Sequence, residues 1–130
     1  MAVGLRSTVA AAILDALFRS VAWSEPAAIW IKLHTGDPGA AGTSNTAGNT
    51  TRKQASFSAA SGGSITTDAD IEWTNVGTAE TYSHWSAWDD ETAGNFVCSD
   101  DLTTPRTVAV GDNFTIAAGD IDVTLGTVAA

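Results

Sequence analysis

The chain is short of charge, short of bases in particular, and nearly without cysteine. Its 130 residues hold six Lys and Arg against fifteen Asp and Glu, and charged residues make up only 16% of the total. Nucleic-acid binding rests largely on phosphate contacts from Lys and Arg. A formal net charge of -9 therefore argues against direct nucleic-acid binding, and equally against an anionic membrane surface. The single cysteine, Cys98, rules out an intrachain disulfide and a cysteine-built zinc site. Within FVCSD it reads as a small hydrophobe on a strand. Long apolar runs are missing too. The best candidate, Val9 to Phe18, falls well below the roughly 20 residues of a membrane span and carries Asp15. It also lacks a signal-peptide layout, since no clean apolar stretch follows Arg6. Heptads are absent, which excludes a long coiled-coil fibre for this chain, and no solenoid period recurs.

What is present is 44% hydrophobic residues and twelve glycines, a globular composition. The length predicts one domain, residues 1–130, large enough to bury a core without staples. An N-terminal helical segment, 1–24, precedes a β-domain, 28–126. Ser7 is placed to cap a helix, and Val9, Ile13, Leu14, Leu17, Phe18 and Val21 follow one helical face. The spacing predicts an amphipathic helix over Thr8–Ser20, with Asp15 and Arg19 in the favourable order for an ion pair. In AIWIKLHT, Ile29, Ile31 and Leu33 alternate with Trp30, Lys32 and His34, the period of a half-buried strand. A long loop, 36–51, follows. Its part from Ala40 to Thr51 is small, polar and aperiodic, and a connection of that length is often an arm to a neighbour. About eight short strands with close turns then predict a mainly β fold, an antiparallel β-sandwich or barrel with the one helix at its N-terminus.

The stretch LHTGDPG, Leu33 to Gly39, has the residue types of an active-site loop without the pattern of one. Pro38 removes a backbone donor, Asp37 repels anions, and the Gly-Lys-Ser/Thr ending of a phosphate loop is missing. His34 and His84 fit no metal-ligand spacing, and each reads as a satisfied or surface histidine. The acidic groups Asp68/Asp70, Asp89-Asp90-Glu91, Asp100-Asp101 and Asp120/Asp122 mostly flank turns, and none follows the calcium-loop pattern. No catalytic residue, metal or cofactor is expected. The aromatics carry more information. Trp85 and Trp88 fall on opposite faces of one strand, which assigns one to the core and leaves the other, with Tyr82 on its own face, as a candidate exposed contact. Exposed aromatics mark a protein interface or, less often, a sugar platform.

Several longer strings carry a resemblance. LHTGDPGAAGTSN, TRK at Thr51–Lys53, EWTNV at Glu72–Val76, ETYSHWSAWD at Glu80–Asp89 and the tail VAVGDNFTIAAGDIDVTL resemble a family of small virion accessory proteins of tailed bacteriophages. Members are often called minor tail or tail-fibre proteins, and some are capsid decoration or minor capsid proteins. The resemblance covers about Ile29 to Leu125 and brings no catalytic motif.

It implies a structural virion protein. The first expectation is a capsid decoration or minor capsid protein that reinforces the head shell from its exterior, with the major capsid protein or another virion protein as partner. A symmetric homo-oligomer, a trimer at a threefold position, suits that role. The alternative is a tail-tip or tail-fibre component that touches the host. A carbohydrate-binding module is the third reading. Expected interface residues are Leu14, Phe18 and Trp23 in the N-terminal segment, and Gly42, Thr43, Ser44 and Asn45 in the loop. Tyr82, Trp85 and Trp88 complete the set.

Overall fold

A computed structural model describes residues 3–126. The chain runs β1 (Gly4–Leu5), α1 (Ser7–Arg19), β2 (Ile29–His34), β3 (Lys53–Ala55), β4 (Ser64–Thr66), β5 (Ile71–Trp73), β6 (Glu80–Trp88), β7 (Phe96–Val108), β8 (Phe114–Ile116) and β9 (Asp122–Thr124). The fold is mainly β, with its helix near the N-terminus as expected. Every strand pairing is antiparallel. The central sheet has the order β1-β7-β6-β2-β3, and two small sheets, β4-β9 and β5-β8, accompany it. The central sheet has free ends at β1 and β3, so it forms one layer of a sandwich rather than a closed barrel.

The alternation in β2 decides how the layers stack. Ile31 pairs with Ala87, and Leu33 with Trp85. These four join Ile71 and Trp73 of β5, Phe114 and Ile116 of β8, and Ile121 in a single buried cluster. One face of the large sheet is thus sealed by the small sheets. Tyr82 joins this cluster, its ring edge-on to Phe114 at 5.0 Å between centroids. Strict alternation would group it with Trp88, but the ladder slips between Tyr82 and His84. Over those two steps of β6, β7 advances from Arg106 to Asp101, so the four residues Leu102 to Pro105 lie opposite Ser83 alone, three more than a regular ladder holds.

The opposite face carries Trp30, Lys32 and His34 beside Trp88, Ser86 and His84. Residues 36–51 cover part of it. They hold no regular element beyond one bridge, Thr46 to His34, yet they are tied at many points. Thr35 N–H donates to Asn45 O, Ser44 N–H to Pro38 O and Ala47 N–H to Leu33 O. The Glu80 carboxylate accepts from the N–H groups of Gly48 and Asn49. Pro38, Gly42 and Ala47 are buried. The expected arm to a neighbour is therefore a lid on its own sheet. Aperiodic sequence said only that it forms no strand or helix, not where its backbone polar groups are satisfied.

β1 covers β7 only at Cys98 and Ser99. The rest of that edge carries Asp100, Asp101 and Pro105, residue types that discourage pairing with another chain's strand.

Gly42 tests the lid. Its φ is +71°, and a Cβ there would sit 2.5 Å from the Phe96 ring. Gly62 has a similar φ of +60° with open space around it. Gly62→Ala should cost about 1–2 kcal/mol for the left-handed backbone alone. Gly42→Ala should cost a further ~1–3 kcal/mol of overpacking, read from urea unfolding midpoints. Equal shifts for the two variants would mean the lid does not press on Phe96.

Candidate assembly surface

Helix α1 begins at Ser7 with Arg6 in the capping position, one residue before the expected cap, and no side chain caps it. The Arg6 N–H donates to Val97 O, fixing the entry to the helix against β7. At the other end Ser20 takes a left-handed conformation. The Asp15 carbonyl accepts from the N–H groups of both Ser20 and Val21, which turns the chain out of the helix. Asp15 and Arg19 form the expected ion pair at 3.0 Å. It is exposed on both sides and contributes a few tenths of a kcal/mol at most.

An amphipathic helix normally turns its apolar stripe to the core. Here no residue of α1 is buried. Leu14 is 55% exposed, Leu17 70% and Phe18 76%, followed by Val21 at 43% and Trp23 at 38%. Leu14, Leu17 and Phe18 fall at i, i+3 and i+4 and form a ridge along one side of the helix, and Val21 and Trp23 follow beyond its left-handed end at Ser20. Beneath the helix start lies a cleft of about 290 Å³, lined by Arg6, Val9, Trp23, Asp89 and Phe96 among others. Exposed apolar side chains grouped on one side of a helix are a feature that interaction sites share. A helix of only three to four turns is marginal without tertiary burial, so a partner would supply what the domain does not.

The expected interface residues divide accordingly. Leu14, Phe18 and Trp23 lie on the exposed segment, and Leu17 and Val21 extend it although only their helical spacing had singled them out. Thr43, Ser44 and Asn45 are exposed at the lid's rim, whereas Gly42 is buried against Phe96. Tyr82, Trp85 and Trp88 are all buried, which corrects the expectation of an exposed aromatic on that strand. Alternation put Trp88 on the face away from the core, but the sheet has cover on both faces. The Trp88 indole packs against Phe96, 5.7 Å between centroids. The Arg52 guanidinium lies 4.1 Å over the indole ring and donates to the Asp90 and Ala93 carbonyls. A basic residue after a polar loop gave no sign of this stacking.

His34 is fully buried and holds the lid. Its Nδ1 is 2.9 Å from Ser44 O, its Nε2 is 2.7 Å from Ser86 Oγ, and Trp88 Nε1 donates to the same Oγ at 2.8 Å. A carbonyl only accepts, so Nδ1 carries the proton. Nε2 then accepts from the Ser86 hydroxyl, which accepts from Trp88. Each group in this relay is satisfied with a neutral imidazole. Burial lowers the His34 pKa, only partly offset by the Ser44 carbonyl, and Lys32 lowers it further. This is a satisfied histidine, as its isolation in the sequence suggested, and not a general base.

The carboxylates are engaged in turns. Asp37 accepts from Gly39 N–H, Asp112 from Ala109 N–H and Asp70 from Ala118 N–H. Asp90 accepts from the N–H groups of Thr92 and Ala93, which hold its pKa below the usual carboxylate value. Among the described residues, no three His, Cys, Asp or Glu side chains gather to hold a metal. Cys98 is buried, and desolvation raises its thiol to about 11. No helix among the described residues is long and apolar enough to cross a membrane.

A β-domain whose buried histidine and turn carboxylates are satisfied from within, carrying an apolar helix that it does not bury, has the build of an assembly protein. A family model described as podophage GP4 fiber I protein gp80 matches residues 4–124, from β1 through β9. The chain belongs to this family and is a structural protein of a bacteriophage virion. The match takes in the helix, beyond the stretch that carried the resemblance. Comparison with curated proteins gives no match.

The relay predicts a pH dependence. The folded state keeps His34 neutral, while the unfolded chain takes up a proton near pH 6.5. Unfolded protein therefore binds more protons below that value, and stability falls as pH drops from about 6.5 through the lowered folded pKa. His34→Gln should lose this slope between neutrality and mildly acid pH and cost about 1–3 kcal/mol at neutral pH. Chemical denaturation across that range checks both. A slope unchanged in His34→Gln would remove His34 as its source.

Proposed function

We propose that this protein is a non-enzymatic component of the phage tail fibre apparatus, acting by binding other virion proteins. The observation that carries the reading is the match over residues 4–124 to a family described by its fiber protein. It supports the tail-fibre alternative over capsid decoration, the first expectation, which draws no comparable support. The fold gives the role a physical form. A domain covered on both sheet faces serves as a rigid unit, and the apolar ridge of α1 is the surface left for attachment. With a 13-residue helix, the chain contributes a module at the base or tip of a fibre rather than a coiled-coil shaft. The sugar-platform reading loses its basis, since Tyr82, Trp85 and Trp88 are buried.

The test is localisation by cryo-electron microscopy on particles with and without this protein. Difference density at the tail, together with loss of host adsorption, is the expected result. Difference density repeated over the head shell would restore capsid decoration and overturn the fibre reading.

A further inference from the structure

One cleft on the β-domain carries positive charge that the chain leaves unpaired. It holds about 400 Å³ and is lined by Lys32, Thr50, Thr51, Arg52, Glu91 and Thr92. Two of the chain's six bases thus stand together. The β2-β3 register explains why. Ile29 pairs with Ala55, Trp30 with Gln54 and Ile31 with Lys53, and one further step sets Lys32 opposite Arg52. Like charges opposed across a ladder are destabilising. Both charges also lie near the Trp88 ring, Lys32 Nζ at 5.8 Å and Arg52 Cζ at 4.1 Å from its centroid. Burial and the Arg52 charge lower the Lys32 pKa. Among the described residues, neither base forms an ion pair with a carboxylate, and the Lys32 ammonium makes no hydrogen bond. Asp90 and Asp89 temper the Arg52 charge from nearby, but their oxygens accept from the N–H groups of Thr92, Ala93 and Asn95. Arg52 keeps donors in hand. The Asp90 and Ala93 carbonyls engage its Nη1, which leaves three N–H groups on Nε and Nη2. Two of these form the side-on fork that a carboxylate fits bidentately.

The rest of the lining limits what can carry that carboxylate. Every lining residue is polar, so the cleft has no apolar wall to hold a hydrocarbon stem. The threonine hydroxyls both donate and accept, and the Glu91 carboxylate accepts. A ligand that satisfies them brings hydroxyls of its own. The volume falls among small-molecule sites, about 300–1,000 Å³. An acidic side chain of another protein would bring only a carboxylate on methylene groups. We propose that this cleft binds a sugar acid, its carboxylate bridging Lys32 and Arg52 and its hydroxyls meeting Thr50, Thr51, Thr92 and Glu91. The site needs no exposed aromatic ring, since buried Trp88 serves it from beneath by supporting the Arg52 guanidinium. One such cleft binds weakly, with a dissociation constant on the order of millimolar, and copies held close together in a virion add avidity. The site goes beyond the tail-fibre reading and does not depend on it.

Titration of the full chain with sodium glucuronate, followed in amide NMR spectra, is the test. The expected result is saturable shifts centred on Lys32, residues 50–52 and residues 91–92. Glucose, which lacks the carboxylate, and acetate, which lacks the hydroxyls, should each bind about tenfold more weakly or worse. Lys32→Gln should weaken glucuronate binding by about tenfold or more. Without ligand, the same variant should unfold at a temperature no lower than the native chain, because it removes one of two opposed like charges. Lost binding is then separated from a lost fold. No saturable shift with glucuronate, or glucuronate binding unchanged in Lys32→Gln, would overturn the proposal. So would a Lys32→Gln variant that unfolds earlier, since Lys32 would then support the fold rather than await a counter-charge. N-acetylglutamate amide binding as tightly as glucuronate would assign the cleft to acidic peptides and overturn the sugar acid.

Discussion

The structure depends on one constraint: the central sheet must be covered on both faces. Its first face is apolar and is sealed by the β4-β9 and β5-β8 pairs. Its second face mixes His34, Ser86 and Trp88 with Lys32 and His84. Burying such groups costs free energy unless each finds a partner. The relay from Trp88 through Ser86 and His34 to the Ser44 carbonyl meets that condition, and it does so by drawing residues 36–51 onto the sheet. A segment that looked free for outside contact is used to keep a polar face dry.

The fate of the helix follows. With the lid over one face and small sheets over the other, the core has no groove left for α1. The helix is fastened at its start, through Arg6 to Val97, and its ridge stays in solvent. The division of labour is thus physical: polar groups and aromatics are turned inward, and the contiguous apolar surface left outside is N-terminal. For a structural virion protein, whose work is to add buried area in an assembly, that surface is the proposed point of contact.

Much of this was legible in the sequence. Periodicity located α1 and β2 within a residue or two, and turn residues separated the short strands. The ridge residues Leu14, Phe18 and Trp23 stood out as apolar positions on a short amphipathic segment. The isolation of His34 from any nucleophile or carboxylate pattern pointed to a structural histidine. What could not be read was tertiary cover. Alternation assigns Trp88 to a face but cannot say that Arg52 and Phe96 close over it. Nor can it foresee the slip at Tyr82 that sends this ring into the core. The small residues of the lid hid their purpose because glycine and alanine, here Gly42 and Ala47, pack by being small.

Hydrogen–deuterium exchange, compared between the free protein and the assembled particle, tests the central claim most directly. The account predicts that protection gained on assembly concentrates in residues 7–23. The amides of the central sheet and of the lid, 36–51, should be protected in both states. Exchange that slows on assembly in the lid, while α1 goes on exchanging freely, would contradict the assignment of the helix as the assembly surface.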